Sequence, residues 1–516
     1  MRPTARVARG ATYFFVQGFL TSLINIGYFI VLAHALSRED MGVFALINFI
    51  LSLLVTLGTF GLQSAIVKYI AQHLAENDAE KARAVFSRVL QIGFLAGAVA
   101  FFLLLVPAEP ISSLIIGQSG YATILQLLAL CSIFVILNSF VLSSLQGIQK
   151  MREASAITMA NTLIRIAVST YFLLTGWGLY AIIWGWLAGL VLTTIAGLYL
   201  TIRSLGFTSR LYPIKPLLGY SLPLYISGGI GLLVTWVDQL VLASLTNLQT
   251  LGIYYVAVSA SVVPALFSSS VVTVLFPKLS ELYTKQGATS LKDAFRVAVR
   301  YSVLIGFPLT AGVAILAYPT IILFAGAKYA EAALPLIIIS LAAFPGALGI
   351  ALGPILLTLA KTKLASLLSL VSITITVLFS FFTLQVLGLG MIGTACARTL
   401  ASVVVLILSL YFLARLVPLS FDNEAIWKAT AASTFMVLVI TGLDLCRWLL
   451  APSSYQFLVI RLYLLPIYIL AGGLAYFVAI VALKALKRQD LELVQEYLPK
   501  KLRFVADLLN RVVRVE

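Results

Sequence analysis

GVFALINFILSLLVTLGTFGLQSAIVK, residues 42–68, is the stretch on which the fold turns, because the chain carries a degenerate echo of it at residues 252–278, GIYYVAVSASVVPALFSSSVVTVLFPK. Both copies open on glycine and close on lysine, at one and the same sequence offset. That offset also carries Gly178, which opens GLYAIIWGWLAGLVL, onto Gly388, which opens GLGMIGTACARTLASVVVL. Each copy has the length, about 20 apolar residues or somewhat more, that crosses a hydrocarbon core as a helix. Similarity in a single register predicts a duplicated half with parallel repeats, an organisation found in some secondary transporters.

The 516 residues are 61% hydrophobic and 10% charged, where a soluble domain carries roughly 25% charged residues. A globular core cannot absorb that much apolar surface, whereas lipid can. The runs are too long and too evenly apolar for barrel strands, so the expected class is an all-α polytopic membrane protein. The net charge of +16 would raise nucleic-acid binding in a soluble protein; here its placement along the chain is what carries information, and no nucleic-acid partner is expected. Cys131, Cys396 and Cys446 sit in or at the edge of apolar segments and indicate neither a disulfide framework nor a metal site. The N-terminus has a signal-like basic flank, but its apolar stretch is longer than a signal core and lacks a small-x-small cleavage site, which predicts a retained first helix.

Apolar runs between charged or turn-like breaks give fourteen candidate spans. The first six cover about 11–36, 42–68, 88–106, 121–145, 154–174 and 178–202, and the second six about 217–245, 252–276, 299–323, 332–359, 364–386 and 389–413. Two more follow at about 426–446 and 459–484. The expected organisation is a six-helix lobe over 1–203, a pseudo-symmetric six-helix lobe over 204–415, two helices within 416–484, and an amphipathic cytoplasmic tail over 485–516 attracted to anionic headgroups. With both termini inside, Arg38, Lys328, Arg447 and Arg461 fall outside, Arg165 and Arg398 fall within spans, and the rest of the 35 Lys and Arg are cytoplasmic. This bias orients a multi-pass protein in the cytoplasmic membrane.

Charges inside spans cost roughly 2.5–3.5 kcal/mol on insertion scales and therefore ask for a partner, a water-filled cavity or a function. Arg165 lies near the middle of the fifth span, Asp238 in the outer half of the seventh, and Arg398 slightly outward of the middle of the twelfth. Asp238 and Arg398 come out at comparable depth and are expected to pair or to share a polar cavity, as a structural ion pair or in transport. Arg165 has no acidic residue in the spans of its own half, which leaves water, the other half or a ligand's negative charge to face it. The repeat sets Tyr28 opposite Asp238, with Asn25 a turn away, so Asn25, Tyr28, Trp236 and Asp238 are expected to line a cleft. Lys68 and Lys278 close the second and eighth spans, either as snorkelling anchors or as cations that meet a substrate's phosphates. Pro216, Pro223, Gly228, Gly229 and Gly231 crowd the seventh span, and Pro308, Pro335, Pro345 and Pro354 the ninth and tenth, where bent or broken helices are expected.

Walker A, HExxH, paired CxxC and nucleophile-elbow patterns are absent from the sequence, so no cofactor and no catalytic chemistry is expected. The stretches FFVQGFLTSLINIGYFIVLAHALSREDMGVFAL, YSLPLYISGGIGLLVTWVDQLVLASLTNLQTLGIYYVAVS and LQGIQKMREASAITMANTLIRI, with the six, six and two layout, resemble the polysaccharide-biosynthesis branch of the multidrug/oligosaccharidyl-lipid/polysaccharide exporter superfamily, which includes the lipid II flippases. The resemblance implies a central cavity flanked by the first and seventh helices, and an aspartate in the seventh that Asp238 matches. It implies movement of a polyprenyl-diphosphate-linked oligosaccharide to the outer leaflet by alternating access, for polysaccharide or cell-envelope biosynthesis, by a monomer working beside glycan-assembly proteins. Lipid II flippases carry arginines in the first helix, whereas this one has no charge from Gly10 to Ala33, which points to a more general lipid-linked glycan. Coupling to Na+ or H+ through Asp238 and transport driven by consumption of the product both fit, and an ion-coupled multidrug extruder is the alternative.

Overall fold

The computed structural model of the chain describes residues 3–262, 288–359, 361–450 and 464–485. Within them all regular structure is helical, and thirteen stretches are long and apolar enough to cross a membrane. A shorter apolar helix, Leu248–Val262, runs to the edge of the described residues where the eighth span is expected. Lys278 and the tail beyond Ala485 lie outside them. Contacts gather the chain into two compact units, Met1–Tyr255 and Val256–Glu516.

The first unit is built from α1 (Pro3–Ala35), α2 (Arg38–Thr59), α3 (Leu62–Ala75), α4 (Ala79–Leu105), α5 (Ala122–Gly147), α6 (Met151–Leu174), α7 (Leu179–Leu205), α8 (Ile214–Leu245) and the start of α9 (Leu248–Val262). Helix starts carry the expected caps: the backbone N–H of Asp40 donates to Ser37 Oγ at 3.0 Å and that of Lys81 to Asp78 Oδ1 at 3.0 Å. The run 42–68, expected as one span, is two helices. α2 stops at Thr59, and Phe60 (φ 48°) and Gly61 (φ 66°) adopt left-handed conformations before α3 begins. The reason is tertiary: a Cβ on Gly61 would meet the Ser221 carbonyl oxygen at 2.9 Å and the Tyr225 nitrogen at 3.0 Å, so only glycine lets the turn lie against the α8 backbone.

α7 carries Gly185, Gly189, Thr193, Gly197 and Thr201 at four-residue spacing, one stripe of small side chains along the helix. α6 packs into this stripe so closely that a Cβ on Gly185 would lie 1.9 Å from Ser169 Oγ and 2.5 Å from the Arg165 carbonyl oxygen. Where the stripe turns polar it knits three helices together. Asn161 Nδ2 of α6 donates to Thr193 Oγ1 at 3.0 Å, and Asn138 Nδ2 of α5 reaches the same oxygen at 3.2 Å and Thr194 Oγ1 at 3.3 Å. The connection from α7 to α8 is strapped to one face of α4: Arg83 Nε donates to the Leu205 carbonyl at 2.7 Å, Ser87 Oγ to that of Thr208 at 2.7 Å, and Arg88 Nε to that of Tyr212 at 2.8 Å. α8 itself is continuous through Pro223, and Gly228, Gly229 and Gly231 face open space, so the expected break in the seventh span does not occur.

The second unit holds α10 (Ala288–Ile315), α11 (Ala317–Ala325), α12 (Ala333–Leu341), α13 (Ala343–Gly349), α14 (Leu352–Thr358), α15 (Thr362–Gln385), α16 (Gly390–Ala414), α17 (Asn423–Leu450) and α18 (Leu465–Ala482). Here the tenth span meets the proline expectation: it is three short helices, with Pro335, Pro345 and Pro354 in their first turns, where the missing N–H has no helical acceptor, whereas the ninth runs unbroken through Pro308 and divides only after Ile315. A core around Phe295, Phe307, Ile355 and Leu413 fills the centre. At one end Arg300, 5% exposed, donates to Asp422 Oδ2 at 3.0 Å and to the Ala485 carbonyl at 2.6 Å, joining α10 to the start of α17 and the chain leaving α18. Asp422 also caps α17 through the Ala425 N–H at 3.2 Å.

Two stability outcomes follow from this packing. Gly185→Val forces backbone apart and is expected to cost at least about 1–3 kcal/mol, read as a fall in the thermal unfolding midpoint in detergent; Gly473→Ala, with nothing within 4 Å of the added Cβ, leaves the midpoint in place. Asp422→Ala strands a buried guanidinium and is expected to cost about 3–5 kcal/mol, of which the double change Arg300→Met/Asp422→Leu restores most. An unchanged midpoint in Asp422→Ala would refute the clamp.

Candidate functional site

The buried polar cluster of the first unit is made where α1, α6 and α7 meet. Asn25 and Tyr28 lie one turn apart on α1 and so share a face, and Arg165 and Ser169 do the same on α6. The Gly185 and Gly189 gaps in α7 let the α6 backbone settle at Arg165: a Cβ on Gly189 would sit 3.2 Å from Arg165 Cβ. Arg165 Nη2 donates to Asn25 Oδ1 at 2.5 Å, and its guanidinium carbon stands 5.8 Å from the centre of the Tyr28 ring. Arg165 is therefore fixed by an amide and an aromatic ring, and no carboxylate is bonded to it among the described residues. Its Nε, the Tyr28 hydroxyl and Ser169 Oγ are buried and lack a hydrogen bond of ordinary geometry, though the two hydroxyls are neighbours. A half-buried guanidinium with its Nε unbonded, beside two hydroxyls, offers donors to an anionic oxygen or to water.

Asp238 is 1% exposed on α8, and its carboxylate accepts from the Tyr254 hydroxyl at 2.8 Å and from the Gln239 N–H at 2.9 Å. Trp236, two residues earlier and so about 200° round the helix, takes part in a different group. It stacks on Tyr255 at 6.4 Å and 12° and packs on Phe49 at 5.9 Å, while Tyr255 also meets Phe29 at 6.0 Å and Phe44 at 5.9 Å. Asn25, Tyr28 and Arg165 are thus brought together, whereas Trp236 and Asp238 point to separate neighbours. Arg398 lies half-buried on α16 in the second unit.

Lys68 closes neither a span nor a helix; it lies within α3 with Nζ 4.0 Å from the centre of the Tyr220 ring and 5.3 Å from that of Tyr69. Tyr69 in turn packs on Tyr212 and on His73, whose ring nitrogens contact Glu76 at 3.0 Å and the Tyr212 hydroxyl at 3.2 Å. Hydrogen bonds from Gln72 and then His73 hold the Glu76 carboxyl below its usual range, and burial raises the Tyr212 phenol. Ser169, Tyr220, Tyr254 and Tyr255 are the members that sequence reasoning missed. Only Ser169 left a signal, one turn beyond Arg165.

A helical bundle crossing the membrane many times, with a guanidinium held in its interior by uncharged groups, defines a transporter-type membrane protein. Residues 31–334 match the polysaccharide biosynthesis protein family, and the chain belongs to it. It is similar to the probable low-salt glycan biosynthesis flippase Agl15 of Haloferax volcanii, at 22% identity over 410 residues, 80% of this chain and 84% of the relative. Its fold matches that of the lipid II flippase MurJ in an inward closed conformation, with a TM-score of 0.71 and 19% identity over 96% of this chain and 99% of the other. An inward-facing multidrug resistance MATE family transporter of the MOP superfamily matches with a TM-score of 0.68 and 16% identity, over 77% and 94% of the two chains.

The amide contact can be tested apart from transport. Asn25→Leu removes the acceptor from a charged donor and is expected to cost about 1.5–3 kcal/mol, measured by unfolding in detergent. Asn25→Asp keeps the stability and cancels the local positive charge. Equal stability of wild type and Asn25→Leu would show that the contact contributes nothing.

Proposed function

We propose that the protein moves a polyprenyl-diphosphate-linked oligosaccharide from the cytoplasmic to the outer leaflet of the cytoplasmic membrane by alternating access, as a monomer, for polysaccharide or cell-envelope biosynthesis. The observation that carries this reading is Arg165, a half-buried guanidinium within the membrane-spanning helices, positioned by Asn25 and Tyr28 with no bound carboxylate among the described residues. Diphosphate oxygens satisfy such a group through charge-assisted hydrogen bonds. The same charge repels the cationic compounds typical of multidrug extruders, which places the extruder reading second. Family membership and the glycan-flippase relative support the substrate class.

In the same reading Lys68, over its tyrosine faces at the cytoplasmic end, meets the diphosphate first, with Lys278 as its counterpart in the repeat. The aromatic group around Trp236 and Tyr255 gives sugar rings apolar faces to slide past. Asp238, buried and bonded to a phenol, is the place for Na+ or H+ coupling, and its expected pairing with Arg398 belongs to the same proposal. The lipid tail stays in the bilayer while the lobes rock about the head group.

Proteoliposomes carrying a fluorescent polyprenyl-diphosphate trisaccharide test this. Wild type is expected to show saturable flipping, Arg165→Ala to lose it about 10- to 100-fold, and Asp238→Asn to lose any dependence on a Na+ or H+ gradient. Uptake of ethidium under a gradient, with no movement of the lipid, would replace this reading with the extruder.

A further inference from the structure

At the opposite end of the first unit from Lys68, where α2 begins and α8 ends, lies a cavity of about 750 Å³, within the ~300–1,000 Å³ typical of small-molecule sites. Its polar wall is Glu39 at the start of α2, Gln118 from the segment between α4 and α5, and Asn247 and Gln249 from the connection between α8 and α9, over an apolar floor that includes Leu46 and Leu240. The wall is built, not merely exposed. Gln118 Nε2 donates to Glu39 Oε1 at 2.7 Å across two distant parts of the chain. Asn247 Oδ1 accepts the Thr250 N–H at 2.8 Å, which fixes the side chain as the cap of α9.

These bonds decide what remains for a ligand. Glu39 keeps one carboxylate oxygen, Gln118 its amide oxygen, Asn247 its amide NH₂, and Gln249 both ends of its amide. Acceptors on Glu39, Gln118 and Gln249 and donors on Asn247 and Gln249 are both on offer, which suits hydroxyl and acetamido groups that both give and take hydrogen bonds. Among the described residues no cation lines the cavity and one carboxylate does, so phosphate and uronate groups are repelled. A second cavity of about 590 Å³ opens beside Asp40, the next residue of the same turn, and offers the aromatic faces of Tyr121, Trp177 and Tyr180. Rings of this kind pack on the apolar faces of sugars.

We propose that the cavity walled by Glu39, Gln118, Asn247 and Gln249 is a binding site for the uncharged part of a saccharide. It complements Arg165 within one unit: the half-buried guanidinium takes an anionic group, and this end takes the sugars distant from it. That the sugars leave by this end rests on the flipping reading; the binding itself does not.

The full chain in nanodiscs is titrated calorimetrically with N,N′,N″-triacetylchitotriose and maltotriose as uncharged probes and with trigalacturonate as the anionic one. Saturable binding of an uncharged trisaccharide, absence of trigalacturonate binding, and about tenfold or greater weakening in Glu39→Ala and Gln249→Ala are expected. Gln249 is exposed, so its substitution tests the site without threatening the fold; the unfolding midpoint of each variant is read alongside. No saturable binding of either uncharged probe, equal binding of trigalacturonate, or binding indifferent to both substitutions overturns the proposal. Trisaccharide binding in a protein that does not flip the lipid-linked substrate overturns the flipping reading and leaves the site standing, while flipping without binding overturns the site alone.

Discussion

Within the apolar thickness of a bilayer only the protein can satisfy a polar group, and the architecture answers that constraint at every level. The backbone is satisfied by helices, and hydroxyls fold back onto carbonyls one turn earlier, as Thr201 does on Gly197 at 2.8 Å and Ser144 on Phe140 at 2.8 Å. Amides that cannot do this are shared between helices: Asn138 and Asn161 converge on Thr193, and that convergence fixes how α5, α6 and α7 stand against one another. Buried polar atoms without a hydrogen bond remain in both units, among them Ser155 Oγ and Ser221 Oγ in the first and Thr310 Oγ1 and Ser380 Oγ in the second, and three of them, Arg165 Nε, the Tyr28 hydroxyl and Ser169 Oγ, fall in one cluster.

Packing and site share one sequence device. The small residues of α7 let α6 approach closely enough for dispersion to hold two helices that gain little from expelling water. The same gap at Gly185 and Gly189 sets the depth at which Arg165 enters the unit and turns it toward α1. A larger residue in the stripe would therefore displace the guanidinium as well as loosen the bundle, so stability and chemistry are not separable at this contact.

What could be read in the sequence was whatever hydropathy and charge report. The spans and the multi-pass class follow from apolar length, and the cost of an intramembrane charge singles out Arg165 as a residue in need of a partner. The break at Phe60 and Gly61 does not, because both sides of it are apolar and its cause is the α8 backbone more than 150 residues away. Proline marked the divided tenth span, whereas α8 and α10 run unbroken through Pro223 and Pro308, each of which removes one N–H from its helix without ending it. Trp236 and Asp238, expected to line one cleft, meet different neighbours because two residues turn a helix by about 200°. The partners of Asp238 and Lys68, Tyr254 and Tyr220, were not, since a phenol in an apolar run gives no sign of what it will touch.

Arg300, buried in the second unit, and Arg165, half-buried in the first, have partners of different chemistry. Arg300 meets a carboxylate and a helix-end carbonyl, so its charge is spent within the fold and the result is a fastening between helices. Arg165 meets an amide and a ring, which hold its position without neutralising it. A neutral clamp is the weaker way to stabilise a buried charge, because the desolvation cost is only partly offset. That deficit is what a ligand's negative charge can cancel, so the arrangement that is poorer for folding is the better one for binding. A carboxylate in place of Asn25 would give Arg165 the kind of partner that Arg300 has in Asp422.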